Sequence, residues 1–276
     1  MANIYKFSDS QRGKDPTVAA AECGSSAIVI ENGSYECKAG FVANNEPDLI
    51  FKNLSFRPKT RNSEPESVLV GREIESLETF RSQLKTPFDR NVVTQFDTQE
   101  AIFDHVFSKL RIQSVNCVDH PIVMSEPVVN PNYCRKFMSE LAFECYCVPS
   151  LLYYTDALSS WYNDAKLVQD TDNGVVVSIG YQAMHVIPIT EGKVNHENIK
   201  RVALGGYHLD YFMQKLLQLK YPIHSSAVSL SRAEDIVQNH VWIAEDYSAA
   251  CEQWTDMSYY DEKVCMVITT TNYMFK

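Results

Sequence analysis

The sequence predicts an α/β chain built around a duplicated unit. Strand–turn–strand segments occur at residues 25–41 (SSAIVIENGSYECKAGF) and 174–189 (GVVVSIGYQAMHVIPI), and amphipathic helical patterns follow each. The first contains Asn32-Gly33 between β-rich runs, a pairing that predicts a two-residue hairpin. Two such hairpins half a domain apart predict a cleft between halves. Turn amides there could face an anion, because successive backbone N–H groups form anion-binding concavities. The turns differ in their chemistry: Glu31 and Ser34 flank the first, whereas the second carries Ser178, Ile179, Gly180 and Tyr181.

The 276 residues suffice for one large domain or two modest ones. A hydrophobic content of 45% and a charged content of 22% are those of a soluble globular protein. A net charge of −10 argues against nucleic-acid binding through the whole surface. No apolar run of about eighteen residues occurs, so no membrane span is expected. Residues 1–22 lack the apolar stretch of a secretory signal and read as a polar extension. The eight cysteines (23, 37, 117, 134, 145, 147, 251 and 265) form no CxxC pair, and only Cys145-x-Cys147 is close. They read as reduced thiols of a cytosolic or nuclear compartment, mostly buried, with no zinc-ligand spacing.

After the first hairpin, 48–51 (DLIF) predicts a third strand and 53–66 a polar loop with two prolines. Ser67–Gly71 reads as a short strand and 73–84 as a helix, making about 51–90 a small excursion from the main core. Asp97-x-x-Glu100 resembles a capping box ahead of Phe103, Val106, Phe107 and Leu110 at helical spacing. Residues 118–124 predict a buried strand. Asn130-Pro131 predicts an N-cap and first turn, leading a helix with Cys134, Phe137, Met138 and Leu141 on one face. Pro149 reads as the start of a helix through about Tyr162, and the polar stretch 163–173 as the boundary between a first half (23–162) and a second (163–276). Glu191-Gly192 predicts another hairpin turn. Gly205-Gly206 precedes a helix with Leu209, Phe212, Met213, Leu216 and Leu217 inward, and Ser231-x-x-Glu234 predicts a capping box opening a long helix to about Trp254. The chain finishes in an apolar strand-like run, VCMVITTTNYMFK.

These segments resemble the actin family. IENGSYECKAGF is similar to its first phosphate loop and GVVVSIGYQAMHVIPI to its second; HPIVMSEPVVNP, the Val148-Pro149 pair and IKRVALGGYHLDYFMQKLL follow in family order. The resemblance covers about residues 24–250 and implies an actin-like (ribonuclease H-like) duplicated fold, its first half complete and its second half truncated. TPFDRNV (86–92), CVDHPIV (117–123), LLQLKYP (216–222) and IAED before YSA (243–249) look closer to a nuclear actin-related branch than to actin. That likeness implies a nuclear, non-filament-forming structural subunit of an INO-eighty type chromatin remodeller. Its partners would be the motor ATPase and a small partner subunit, with nucleosome and DNA contacted indirectly.

Departures from the family pattern bear on activity. Glu31 stands where hydrolysing members carry an Asp, and their Asp-x-Gly-Asp-Gly second loop aligns with Ser178-Ile179-Gly180-Tyr181-Gln182, which lacks both acids. Tyr181 places a ring where a glycine-rich turn lets phosphate approach. A water-positioning Gln aligns with Asp156, and base-contacting Lys and Glu align with Val237 and Gln238. Misplacing reacting groups by about 1 Å costs on the order of 100-fold in rate, so hydrolysis is expected to be very slow or absent, with no cofactor required.

The candidate nucleotide residues are Glu31, Asn32, Gly33, Ser34, Lys38 and Gly180, a degenerate pair of phosphate loops. The alternative function is a nucleotide switch holding residual ATP with weak or no hydrolysis. Lys38 could serve as a point charge or be a solvated strand residue, and Ser178 a weak metal-water ligand or a turn cap. His185 and Asp156 face the same choice between cleft chemistry and packing. Trp161, Trp242 and Trp254 are candidate interface anchors or partial core. Arg57-Pro-Lys-Thr-Arg61 is a short basic loop that could touch DNA phosphate. A shortened second half is expected to expose sheet edges and core surface unless a partner covers them.

Overall fold

The computed structural model describes residues 26–57, 68–74, 84–112, 117–165 and 173–258. They divide into two compact units, one running through Gly206 and the other from Tyr207 onward. The strands are β1 (Ile28–Asn32), β2 (Glu36–Phe41), β3 (Leu49–Lys52), β4 (Ser55–Phe56), β5 (Leu69–Val70), β6 (Leu84–Lys85), β7 (Phe88–Asp89) and β8 (Val92–Val93). Then come α1 (Phe96–Lys109), β9 (Ile122–Glu126), α2 (Asn132–Glu140), β10 (Leu151–Thr155), α3 (Asp156–Ala165), β11 (Gly174–Ile179), β12 (Met184–Thr190), β13 (Lys193–Val194) and β14 (Lys200–Val202). The remaining helices are α4 (Gly206–Lys220), α5 (Leu230–His240) and α6 (Tyr247–Gln253).

The main sheet has the order β10-β9-β1-β2-β3, with β1 and β2 antiparallel and both β1 and β10 parallel to β9. Alternation along the strands buries Ile28, Ile30, Cys37, Ala39, Ile122 and Met124. Against this face pack Ile102, Phe103, Val106 and Phe107 of α1 and Cys134 and Met138 of α2, in one core. Each such side chain contributes about 1.5–3 kcal/mol on leaving water. The small excursion is a sheet of order β5-β4-β6 with its own cluster around Phe56 and Ile74.

The second hairpin forms a separate sheet in which β12 pairs with β11, β13 and β14. β11 has β12 on one side and, among the described residues, no strand on the other. In the first hairpin the equivalent strand β1 is flanked on both sides. Trp161 of α3 lies against Gly174 of β11, where an added Cβ would come within 2.4 Å of its ring; this tryptophan is a packing residue. The second hairpin groups with the first half, so the division between compact units follows Gly206.

Several expectations change. Residues 149–155 are not helical: Leu151–Thr155 pairs with β9 as β10, because its apolar run finds a parallel neighbour. α1 starts at Phe96 with Gln95 as N-cap and no side-chain cap bond, so Asp97-x-x-Glu100 forms no capping box. α2 is capped by Pro131, and the Asn130 amide instead donates to Glu126 Oε2 at 3.1 Å. The two-residue turn expected at Asn32-Gly33 is a wider loop: Asn32 pairs with Cys37, and Gly33 N–H donates to Glu36 O at 3.1 Å. Turns with two central residues at positive φ occur instead at Arg90-Asn91 (47° and 61°) and at the expected Glu191-Gly192 (51° and 70°). The cysteines are also less buried than expected: Cys145, Cys147 and Cys251 are exposed and Cys117 is half-buried.

The second unit is helical. Asp210 is the buried residue of α4, while Leu209, Phe212 and Leu216 are exposed and Met213 and Leu217 only half-buried, contrary to the inward stripe expected. The long helix to Trp254 is two helices. Ser229, not Ser231, caps α5 by accepting from Arg232 N–H, and Asp246 caps α6 by accepting from Ala249 N–H. That second cap, after the non-helical stretch 241–245, starts a new helix. Trp242 and Trp254 stack with centroids 6.4 Å apart and remain partly exposed. The N-terminal extension, most of the 73–84 helix and of the Arg57–Arg61 patch, and the final apolar run lie outside the described residues.

Candidate functional site

The two hairpin turns are built alike. Asn32 pairs with Cys37 and Ile179 with Met184, so each loop holds four residues. Each is closed by one bond, Gly33 N–H to Glu36 O at 3.1 Å and Gly180 N–H to Ala183 O at 3.0 Å. Both turns line one cavity of about 300 Å³, together with Asp156, Pro127, Asn91, Ser178 and His185. The structure therefore brings Glu31, Gly33, Ser34, Lys38 and Gly180 to one place, as the sequence reading grouped them.

Asn32 is the exception. It does not line the cavity and is buried beneath the first turn. Its amide donates to Gln99 Oε1 at 2.8 Å, its carbonyl accepts from Asn53 Nδ2 at 2.8 Å, and its backbone N–H donates to Ser125 Oγ at 3.0 Å. Asn53 also donates to Gly33 O at 2.8 Å, so this network sets the shape of the turn from below.

Charge in the cavity is compensated within the hairpin. The register places Glu31 opposite Lys38, and the Lys38 ammonium lies 3.1 Å and 3.3 Å from the two Glu31 carboxylate oxygens. Lys38 is thus not an uncommitted cation waiting for phosphate. Asp156 opens α3 and accepts from Ala157 N–H at 2.6 Å. The residue keeps solvent access, yet crowding of its carboxyl by the cavity wall raises its pKa, and the nearby Glu31 carboxylate adds to that rise. Burial likewise pushes the Tyr154 phenol up to about 12, with Glu31 contributing.

Aromatic rings span the space between the turns. Tyr35 and Tyr181 pack with centroids 4.9 Å apart, and the Lys52 ammonium sits 5.0 Å from the Tyr35 ring centroid. Gln182 Oε1 accepts from Asn91 N–H at 2.6 Å, and the Arg201 guanidinium donates to Arg90 O. Behind the second turn, Gly206 N–H donates to Gly180 O at 3.1 Å, and a Cβ on Gly205 would fall 2.3 Å from Gly180 O. His185 is 5% exposed, and its Nε2 has no hydrogen-bond partner among the described residues. Burial, then the Arg201 charge, lowers its pKa, which disfavours the charged ring.

Sequence reading missed Tyr35, Asn91 and Arg201, and placed Gln182 in the second loop without its bond to Asn91. The available signal was an aromatic residue at a polar hairpin tip, Tyr35, matched by a second one at Tyr181. The bridging roles of Asn91 and Arg201 come from tertiary placement and leave no local pattern.

A duplicated α/β unit with two like-built hairpin turns on one cavity defines the class. The family described as Actin matches residues 23–274, and the chain belongs to that family. Among its relatives, Actin-related protein 5 of Drosophila melanogaster is 38% identical over 273 residues, spanning 91% of this chain and 42% of that protein. Actin-related protein 5 of Gallus gallus is 41% identical, spanning 95% of this chain and 44% of that protein. The Homo sapiens protein of the same name is 39% identical, spanning 95% and 45%. The chain therefore spans a little under half the length of these curated relatives.

Proposed function

We propose that the chain is a catalytically silent actin-related subunit that serves a structural role in a nuclear chromatin-remodelling assembly of the INO-eighty type. It would join the motor ATPase and a small partner subunit and couple them to the nucleosome. The observation that carries the silent part is the Tyr35–Tyr181 pair across the turns, beside a Lys38 already neutralised by Glu31. A metal-bound triphosphate needs carboxylates that orient metal waters and donors that meet the phosphates. Here the second turn offers Ser178 and Tyr181, and the first acid is held by Lys38, so the residues present do not fit that group. The remodelling role rests on similarity to Actin-related protein 5 and on the branch-like segments 86–92, 117–123, 216–222 and 243–249.

One observation favours the second reading, a nucleotide switch: buried His185 Nε2 has no partner among the described residues, in a cavity that also presents the Gly33 and Gly180 turns. Titration with fluorescent ATP and Mg²⁺, alongside phosphate release and a melting measurement, separates the two. The silent reading expects no saturable binding and no phosphate above a protein-free blank. Saturable binding with a melting rise, of about 2.7 kcal/mol at a hundredfold excess over Kd, supports the switch. Co-purification with the motor ATPase and small subunit tests the assembly role, and its absence from the reconstituted complex would defeat it.

A further inference from the structure

The loops that enter β9 and β10 bring two thiols together. Val118 N–H donates to Tyr146 O at 2.8 Å and Ile122 N–H to Ser150 O at 2.9 Å, so the backbones beside Cys117 and Cys147 are clamped side by side. Tyr146 is buried, and its hydroxyl donates to Asp104 Oδ1 at 2.8 Å and to Glu100 O at 3.0 Å, which anchors the segment carrying Cys147. A π-turn at Leu141–Cys145 precedes it. That clamp sets Cys117 and Cys147 at the entry ends of neighbouring parallel strands; both thiols are free, and Cys147 is exposed. Cys147 also adopts φ of 49°, where glycine would be cheaper. A side chain is held there at a conformational cost, and an outlier of this kind motivates a functional reading.

We propose that Cys117 and Cys147 are a redox-responsive pair that closes to a disulfide when a small-molecule disulfide, such as oxidised glutathione, is supplied. The exposed Cys147 reacts first. Its thiolate attacks one sulfur of oxidised glutathione, breaking that S–S bond, releasing one glutathione thiolate and leaving a mixed disulfide. The Cys117 sulfur, its proton lost to solvent, attacks the Cys147 sulfur and expels the second glutathione thiolate. Two protein thiols become one disulfide, two electrons pass to glutathione, and the two protons released end on two molecules of reduced glutathione. Cys117 is the poorer first nucleophile, which leaves the initial attack to the more exposed Cys147. Cys117 donates to Asp119 Oδ1 at 3.5 Å, and that bond, then partial burial and the Asp119 charge, keep its pKa raised. The link ties together the entry ends of two parallel strands and is independent of the nucleotide question.

The test is oxidised glutathione treatment of the full chain, followed by alkylation and peptide mass mapping without reduction. A Cys117–Cys147 cross-linked peptide is expected, with an upward melting shift, and dithiothreitol reverses both. Cys147→Gly, which suits the backbone at that position, and Cys117→Ser each abolish the cross-link and the shift, whereas Cys145→Ser leaves both intact. A Cys145–Cys147 link, separate glutathione adducts on Cys117 and Cys147 that never resolve, or no reaction at either thiol would each overturn the proposal.

Discussion

Tyr35 and Tyr181 meet ring to ring, 4.9 Å between centroids and inclined by 50°, each from the tip of its own hairpin. The two turns are therefore joined by protein atoms. Tyr35→Ala and Tyr181→Ala should each destabilise the chain, and the double variant should lose less than the sum. A coupling of about 0.5–1.5 kcal/mol is expected from a denaturant-unfolding cycle. Strict additivity would show that the rings merely lie near one another.

Asn32 should matter more to stability than a loop-flanking residue normally does. Asn32→Ala leaves Gln99 Oε1 without its donor in a network where Gln99 Nε2 and Asn53 Oδ1 already lack partners among the described residues. The expected loss is about 1–3 kcal/mol in chemical denaturation. Asn32→Asp should not rescue it, because a carboxylate cannot donate to Gln99.

Asp156 predicts a pH dependence. Its folded pKa lies above the unfolded one, so the folded state holds its proton longer, chiefly through desolvation. Below the unfolded carboxyl value, about 3.9, both states are protonated and the residue imposes no penalty; the penalty grows as pH rises through the folded pKa. Asp156→Asn, which keeps the oxygen that accepts from Ala157, should melt higher than the parent at pH 7. The gap should vanish near pH 3.5, and equal melting at pH 7 would contradict the assignment.

Gly205 and Gly192 should respond differently to alanine. At Gly205 an added Cβ would press on Gly180 O at 2.3 Å and Tyr181 O at 2.5 Å, backbone atoms of the second turn that cannot swing aside. Gly205→Ala should cost at least about 2 kcal/mol and disturb the Tyr35–Tyr181 contact, visible in tyrosine fluorescence. Gly192 has open space around it and φ of 70°, so its replacement should cost only the left-handed backbone penalty of about 1–2 kcal/mol.

Much of this architecture was legible in the residues. Alternation marked β1, β2, β11 and β12, and the likeness of the two hairpin segments marked the repeat that brings Glu31, Gly33, Ser34, Lys38 and Gly180 to one cavity. Misreadings arose where tertiary pairing outweighed local preference. Leu151–Thr155 follows a proline that reads as a helix start, yet β9 lies ready to receive a parallel strand. Asn32-Gly33 has the composition of a tight turn, but the Asn32 side chain is claimed by Gln99 and Asn53, and the loop widens to four residues. In α4 the apolar spacing is helical as expected, but Leu209, Phe212 and Leu216 face solvent because spacing alone does not supply a neighbour.

The side of β11 that carries no strand among the described residues has a colloidal consequence. Val175, Val177 and Ile179 are 60%, 54% and 71% exposed along a strand with no charged residue and one edge that pairs with no strand among the described residues. Such a rim is a template onto which further chains can add. Crowding the free polypeptide should therefore drive it toward turbidity, and its soluble ceiling in a dilution series should rise when a lysine interrupts those valines.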